Sequence, residues 1–266
     1  MVICLLALFG IIYLIFWLTD LSVIKINRTE VTGAKTIAFE EVASTTVKLL
    51  EGRYFFMVPR ANVLFYPKKK IVESITSSYP QIESISIKLK DLNTVQVTIK
   101  ERSADALWCT KIQVQSEHDG KSLENCYKFD STGLIYLTHS FATSTPSGFI
   151  KFFGKLPEGN PVGMIYSSPE RIKKLLDFSK KIFTKGLVVT SFEEKEDGEL
   201  EVMLFGGTQR LLISGESDFS VALANFQTII EDPSFGGIDG FSKIDYVDLR
   251  YGNKVIYKIK SASVVK

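Results

Sequence analysis

The chain has 266 residues, 45% of them hydrophobic, which is enough for two ordinary domains with substantial cores. Its 32 Lys and Arg residues are balanced by 30 Asp and Glu residues, so the net charge of +2 gives no general argument for nucleic-acid binding. With two histidines and three cysteines, the chain has few of the side chains that form metal sites or activated nucleophiles. The sequence therefore predicts no catalytic residue, no metal, no cofactor and no small-molecule substrate.

The N-terminal segment, residues 1–19, is apolar and carries no charged side chain. As a helix it would be about 28 Å long, close to the thickness of a bilayer core. Tyr13 and Trp17 fit an interfacial aromatic belt. A cleaved signal peptide is the alternative, but the segment has neither a basic start nor a small-x-small cleavage site. We therefore expect an uncleaved transmembrane anchor.

Two signals disagree on the orientation of this anchor. Lys25, Arg28 and Lys35 follow the segment, and the positive-inside rule would place the large domain in the cytoplasm. Cys109 and Cys126 point to the other side, because a disulfide between them requires an oxidising compartment. We expect the large domain to be extracytoplasmic, since long domains translocate despite flanking charge.

The candidate disulfide is chosen by position. Cys4 lies in the apolar segment, which leaves Cys109 and Cys126 on either side of a polar loop, Thr110 to Asn125. Closing this loop would stabilise the fold by roughly 3 kcal/mol in the chain-entropy model. The alternative is two unrelated buried thiols. Neither spacing nor neighbours indicate a zinc site.

Residues 20–102 have the pattern of a small α+β domain with helices on one sheet face. The expected order is strand, helix, helix, strand, strand: Val23 to Val31, Ile37 to Leu50 with a stop at Gly52, a helix from Arg60 or Lys68 to Ser77, and two alternating runs around Ile87 and Val97.

Residues 103–260 predict a larger, mainly β domain with two amphipathic helices, followed by a tail, 261–266. Its expected elements are a tight turn at Asp130 to Gly133, a loop from Thr138 to Ser147, a helix from Pro169 to Lys185, strands at Leu187 to Phe192, Leu200 to Phe205 and Gln209 to Ile213, and a helix from Ser217 to Glu231.

A terminal β-hairpin, Ile244 to Lys260, closes this domain. A two-residue turn at Gly252 and Asn253 would mix apolar and charged side chains on both faces. A three-residue turn that includes Lys254 places Asp248 opposite Lys258 and gathers the apolar residues on one face, so we favour it. The last strand then has an edge that is either a hazard or a docking site.

The chain resembles the FtsQ/DivIB cell-division family over nearly its whole length. The matching stretches are Ile26 to Gly33, Gly52 to Phe56, Tyr79 to Ile85 and Ile99 to Arg102, which resemble a POTRA module, then Trp108 with Asp130-Ser131-Thr132-Gly133, and Tyr246 to Tyr251, similar to the family's closing signature. The resemblance implies a single transmembrane helix, a POTRA domain at 20–102 and a C-terminal β domain.

The resemblance also implies a function: a non-catalytic scaffold of the bacterial divisome in the inner cell membrane, at the division septum. Its partners would be FtsB/DivIC-like and FtsL-like single-pass proteins, bound by strand addition at the terminal hairpin. The implied partner-binding residues are Arg250 and Tyr251 in the signature, Tyr257 in the last strand, and Val255, Ile256 and Lys258 by adjacency. A proline at Ile256 is expected to remove an N–H from the candidate edge.

Two alternative functions remain. A POTRA-bearing transport or assembly component normally adds a long barrel of amphipathic strands, which the sequence up to Lys266 lacks. An envelope hydrolase would need a nucleophile or perturbed acids, yet His118 fits a solvated loop, and adjacent His139 and Ser140 are poorly placed to cooperate. The acidic stretch Glu193 to Glu199 fits a solvated hairpin loop better than a cation site.

One basic and aromatic stretch has no role in these hypotheses. Lys68, Lys69 and Lys70 follow Phe65-Tyr66-Pro67, a combination that suits lipid headgroups or a protein partner. Lysines on the last strand allow two opposite interpretations. Lysines on an edge strand ordinarily discourage pairing with another chain, but here they would also select a partner strand with acidic residues.

Overall fold

The structure is a computed structural model that describes residues 2–112, 123–139, 148–155, 159–204, 209–215, 218–233, 236–252 and 254–260. It combines helices with β-sheets, which confirms a mixed α and β fold. The chain divides into two compact units, Met1–Arg102 and Ser103–Lys266.

The apolar N-terminal segment is helical, as α1 (Val2–Thr19), and a 3-10 turn at Ser22–Ile24 follows it. Among the residues that the structure describes, no helix is both long and apolar enough to cross a membrane. The transmembrane anchor stays a prediction from the sequence.

The remainder of the first unit follows the predicted order of strand, helix, helix, strand, strand. Its elements are β1 (Arg28–Thr32), α2 (Phe39–Leu50), β2 (Arg53–Tyr54), β3 (Val58–Pro59), α3 (Lys68–Ser78), β4 (Ile82–Asp91) and β5 (Thr94–Glu101). In the three-stranded sheet, β5 lies between β1, which is parallel to it, and β4, which is antiparallel. The small β2–β3 ribbon is an addition that the sequence pattern did not predict.

The core of the first unit lies between this sheet and its two helices. Val42 of α2 and Ile71 and Ile75 of α3 are completely buried, together with Val95 and Val97 of the central strand. Within each helix, the buried residues recur at helical spacing and form one face. α3 begins at Lys68, directly after Pro67, which decides between the two predicted starts because proline is tolerated only at a helix beginning.

A carboxylate at the end of β5 holds the segment that leads into α2. The backbone N–H groups of Lys35 and Thr36 donate to Glu101 Oε1 at 2.6 and 2.8 Å, and that of Ile37 donates at 3.2 Å. The Thr36 hydroxyl donates to the other carboxylate oxygen at 2.7 Å. Partial burial by itself would raise the pKa of Glu101, but these donors outweigh it and lower the pKa.

We expect Glu101→Ala to destabilise the first unit by about 2 kcal/mol, because three backbone donors lose a charged acceptor. Glu83→Ala, on the neighbouring strand, is the matched control: Glu83 makes an exposed ion pair with Lys100, worth at most about 0.5 kcal/mol. Native-state hydrogen exchange of α2 amides measures both values. Equal effects of the two substitutions would contradict the assigned role of Glu101.

The second unit contains the remaining elements in this order: β6 (Ala106–Ile112), β7 (Leu123–Phe129), β8 (Ile135–His139), β9 (Lys151–Phe153), α4 (Pro169–Phe183), β10 (Val189–Glu194), β11 (Glu199–Leu204), β12 (Arg210–Ser214), α5 (Phe219–Glu231), α6 (Gly237–Phe241), β13 (Ile244–Tyr251) and β14 (Lys254–Ile259). The described strands form one nine-stranded sheet in the order β14-β13-β12-β11-β10-β9-β6-β7-β8.

The core of the second unit joins this sheet to α4 and α5. Phe152 and Phe192 lie on adjacent strands with ring centroids 5.1 Å apart, and Phe226 of α5 packs edge-on against Phe241 of α6 at 5.4 Å. Both long helices have polar N-caps, Ser168 for α4 and Asp218 for α5. Ser168 Oγ accepts from the N–H of Arg171 at 3.2 Å, and Asp218 accepts from the N–H of Ser220 at 2.8 Å. The helix predicted from Ser217 thus begins at Phe219 with Asp218 as its cap, and Ser217 lies outside the described residues.

The predicted turn at Asp130 to Gly133 is present. The N–H of Gly133 donates to the carbonyl of Asp130 at 2.9 Å, and the Asp130 carboxylate accepts from the N–H of Thr132 at 2.9 Å. Gly133 has φ +80°, and a Cβ there would lie 2.2 Å from the carbonyl oxygen of Ser167. Only glycine fits this turn without displacing its neighbour.

The polar loop expected between the two cysteines is partly a β-hairpin. β6 and β7 pair in register from Ala106↔Phe129 to Ile112↔Leu123, with Cys109 directly opposite Cys126. A disulfide joins these two residues, both completely buried beside Leu107 and Phe153. The expected loop at Thr138 to Ser147 begins later than predicted, because β8 extends to His139, and residues 140–147 lie outside the described part of the chain.

Candidate partner-binding edge at the terminal hairpin

The terminal hairpin lies at one edge of the large sheet. β13 is parallel to β12, and β14 is antiparallel to β13. Within the described residues, β14 has a single neighbouring strand, so it forms the border of the sheet. Border strands present a row of backbone donors and acceptors that another chain can pair with.

The predicted register of this hairpin is wrong, although its distribution of faces is nearly right. Tyr251 pairs with Lys254, so Lys254 belongs to β14 and not to the turn, and Asp248 pairs with Ile256 instead of Lys258. An irregularity between Asp248 and Tyr251 adds a residue to β13, and a second lies between Ile244 and Tyr246. The extra residue between Asp248 and Tyr251 exchanges the two faces of the strand, as the predicted third turn residue, Lys254, would have done. Val247 and Tyr257 therefore still lie on the same face.

Successive residues of β14 direct their backbone N–H and C=O groups alternately toward β13 and toward the open border of the sheet. The N–H of Lys260 donates to the carbonyl of Lys243 at 2.9 Å, on the β13 side. Because the pairing shows irregularities only on β13, Ile256 and Lys258 direct their backbone groups to β13 as well. The backbone groups of Val255 and Ile259 then point away from β13. The expectation that a proline at Ile256 removes an edge N–H is therefore wrong, since that N–H belongs to the inner ladder.

Apolar side chains remain exposed along this border. We define the edge strip as Tyr251, Ile256, Tyr257 and Ile259, which are 52%, 38%, 49% and 61% exposed. Val255 is half-buried and packs against the core of the second unit. An exposed apolar strip beside a row of backbone groups can bind an extended peptide by main-chain hydrogen bonds and side-chain contacts together.

A three-residue ionic network supports the hairpin from the inside. Asp248 is buried, and Arg250 donates to its carboxylate through Nε at 2.8 Å, through Nη2 and through the backbone N–H at 3.1 Å. Nη1 of Arg250 also contacts Glu199 on β11, so the network bridges from β13 across β12. Burial raises the pKa of Asp248, but the hydrogen bonds from Arg250 outweigh this effect and lower it.

A second network replaces the predicted Asp248–Lys258 pair. Arg210 of β12 donates to Asp245 of β13 at 2.9 Å, and Asp245 lies 3.7 Å from the Nζ of Lys258. Lys258 itself is opposite Tyr246 in the ladder. The hydrogen bond to Asp245 is the main cause that raises the pKa of Arg210.

The six predicted partner-binding residues thus fall into four environments. The guanidinium of Arg250 is engaged within the sheet and lies 5.6 Å from the ring of Tyr251. Tyr251, Ile256 and Tyr257 belong to the edge strip. Val255 is half-buried, and Lys258 is exposed. Ile259, the most exposed apolar residue of the strip, was not among the predicted residues, although its place in the alternating pattern was a usable signal.

Other candidate chemistry in the described residues is sparse. His139 lies in β8 opposite Cys126, and burial, followed by the nearby charge of Lys128, lowers its pKa. Ser140 and His118 lie outside the described residues. Cys109, Glu124 and Cys126 lie close enough to hold a metal, but the two sulfur atoms are bonded to each other and are not thiolate ligands.

The acidic stretch between β10 and β11 forms a hairpin turn. The N–H of Lys195 donates to the carbonyl of Glu199 at 2.8 Å, and the ammonium of Lys195 pairs with Glu193 and Glu201. Since Glu193 and Glu201 already have a cation within the turn, the structure favours the solvated-loop interpretation over a cation site.

Protein-family models searched against the chain give no match, and no curated protein matches it.

Proposed function

We propose that this protein is a non-catalytic, membrane-anchored scaffold of the bacterial division machinery. In this proposal, β14 accepts a strand from an FtsB/DivIC-like partner, alongside an FtsL-like partner, and the first unit is a POTRA-type domain. The observation that carries the proposal is the exposed edge strip on the terminal hairpin, whose strand β14 borders the large sheet. The family attribution rests on the sequence motifs.

The hairpin has the properties that strand addition needs. Backbone groups of Val255 and Ile259 face away from β13, and the edge strip supplies apolar contacts next to them. The ionic networks beneath the strip hold β13 against β11 and β12, so a partner would meet a pre-organised edge. Lys254 and Lys258 are exposed on the same strand and favour a partner segment with acidic residues.

The proposed location combines two supports. The uncharged segment 1–19 is the basis for the membrane anchor. The buried disulfide between Cys109 and Cys126 supports an oxidising, extracytoplasmic compartment for the second unit, because structural disulfides are rare in reducing compartments.

A proline at the outward-facing edge tests the strand-addition mode. We expect Ile259→Pro to bind an FtsB/DivIC-like partner at least about tenfold more weakly than Ile259→Ala, because proline lacks the N–H and its ring obstructs an incoming strand. Both variants lose the isoleucine side chain, so their difference reports the backbone. The affinity of the full-length chain for the purified partner, in detergent solution, provides the measurement.

The control measurement shows whether both variants still fold. Ile259 is 61% exposed, and proline is tolerated on a border strand where the N–H faces outwards, so both variants should keep the unfolding midpoint of the parent. Equal affinities of the two folded variants would rule out main-chain pairing at this position. Failure of the unaltered chain to co-purify small single-pass partners from native membranes would remove the scaffold proposal as a whole.

A further inference from the structure

The first unit displays an unusual group of exposed apolar side chains at one end. We define the apolar cap as Phe55, Phe56, Met57, Leu64 and Phe65, which are 92%, 96%, 52%, 76% and 51% exposed. The first three lie in the turn between β2 and β3, and the other two lie in the segment before α3. Large apolar side chains that are almost fully exposed and adjacent mark a binding surface more often than a stability feature.

The backbone of the cap keeps these side chains outside the core. Phe55 and Phe56 have φ of +47° and +63°, the left-handed region that side chains other than glycine rarely adopt. The turn is closed by the N–H of Met57, which donates to the carbonyl of Tyr54 at 2.9 Å, and by Arg53, which donates to the carbonyl of Met57 at 2.9 Å. A strained conformation that exposes two phenylalanines gives no packing benefit, which favours a role in binding.

The cap is attached to the end of α1. The amide nitrogen of Asn62, a completely buried residue, donates to the carbonyl of Thr19 at 2.8 Å. Arg53 pairs with Asp20 at 3.0 Å. These contacts place both cap segments beside the point where the chain leaves α1, whose last turn carries the exposed Trp17.

Three cations adjoin the cap. Lys68, Lys69 and Lys70 are exposed and form the first turn of α3, a turn without an acidic residue. The positive end of the helix dipole disfavours lysine there, so helix stability does not explain the triplet. Aromatic side chains next to lysines match the interface of an anionic bilayer, where rings enter the headgroup region and cations meet lipid phosphates.

We propose that the apolar cap and Lys68–Lys70 form a docking surface for an anionic lipid bilayer, which seats the first unit on the membrane where α1 enters it. This inference rests on the proposed membrane anchor. A bilayer is favoured over a protein partner because the surface is continuous with the end of the uncharged N-terminal helix and carries three exposed lysines in a helix turn without an acidic residue.

The test uses the full-length chain in nanodiscs of phosphatidylcholine and phosphatidylglycerol, with or without bromine on the acyl chains. We compare Phe56→Trp with Phe39→Trp, each against the parent. Phe39 is an exposed phenylalanine at the first residue of α2, about 18 Å along the helix from the end that adjoins the cap. Brominated lipid should quench the added emission of Phe56→Trp at least about twofold more strongly than that of Phe39→Trp.

Two results would overturn this inference. If Trp17 of the parent is quenched but Phe56→Trp is no more quenched than Phe39→Trp, the anchor holds and the docking surface is wrong. If Trp17 is not quenched either, the membrane anchor of the proposed function fails, and the docking surface fails with it.

A second part of the experiment tests the role of Lys68, Lys69 and Lys70 in lipid binding. In the Phe56→Trp chain, quenching should increase with the phosphatidylglycerol fraction, and Lys68→Gln, Lys69→Gln and Lys70→Gln together should abolish that increase. Lys173→Gln, Lys174→Gln and Lys181→Gln on α4 provide a control with the same loss of charge. An unchanged lipid dependence in the first triple variant would overturn the role assigned to the lysines.

Discussion

Arg250→Ala is expected to lower the free energy of unfolding of the second unit by about 3–5 kcal/mol, because it leaves Asp248 as a buried carboxylate without its cation. Asp248 is 4% exposed and receives hydrogen bonds from both the guanidinium and the backbone of Arg250. Only the backbone bond would survive in the variant. Urea unfolding followed by Trp108 fluorescence in a Trp17→Phe background measures the change, since Trp108 is then the only tryptophan.

Arg210→Ala is the matched control for this prediction. Arg210 also bridges two acidic residues, Glu201 and Asp245, but its side chain is 34% exposed, and Asp245 is more exposed than Asp248. We expect a cost near 1 kcal/mol for Arg210→Ala. In an Asp248→Asn background, Arg250→Ala should lower the free energy of unfolding by less, because no buried carboxylate is then left without its cation. A cost of Arg250→Ala that equals the Arg210→Ala cost would contradict the assigned role of Arg250.

The same network predicts a dependence on pH. The pKa of Asp248 in the folded chain lies below its ordinary value of 3.8. A lowered folded pKa means that the contribution of Asp248 to stability is fully present above the ordinary value and is lost as the pH falls through the folded value. Below about pH 4, Asp248→Asn should therefore lose stability less steeply than the parent.

Removal of the disulfide is the second large effect. We expect Cys109→Ala with Cys126→Ala to lower the free energy of unfolding of the second unit by about 3 kcal/mol, since the bond closes a loop across a sequence separation of 17. Alanine avoids placing a buried hydroxyl where both sulfur atoms are buried. The same urea titration serves as the measurement.

Reductant provides the control for this prediction. Dithiothreitol should destabilise the parent by a similar amount and leave the double alanine variant unchanged. Cys4→Ser should respond to reductant as the parent does, because the disulfide joins Cys109 to Cys126 and does not include Cys4. A double alanine variant as stable as the oxidised parent would show that pairing in the β6–β7 hairpin holds this region without the bond.

The position of the candidate edge could be predicted from the sequence, but its chemistry could not. Alternating residues from Ile244 onwards identified the hairpin, and the resemblance indicated which strand would bind. The resemblance also implied that Arg250 binds the partner, but the guanidinium of Arg250 contacts Glu199, which lies 51 residues earlier in the chain. No local pattern links these two residues, because the contact depends on the order of β11, β12 and β13 in the sheet.

Sequence alone determined helices α1 to α5, the strands β1, β4, β5 and β10 to β14, and the two cysteines available for pairing, since periodicity and breakers act over a few residues. Tertiary structure decided the register of the terminal hairpin, the partners of Asp248 and Arg250, and the exposure of Phe55 and Phe56. A bulge shifts a register by one residue without altering the hydrophobic pattern, and a turn can expose apolar side chains that composition would bury. The physical reason is that pairing between distant segments depends on which backbone groups and charges the assembled sheet brings together.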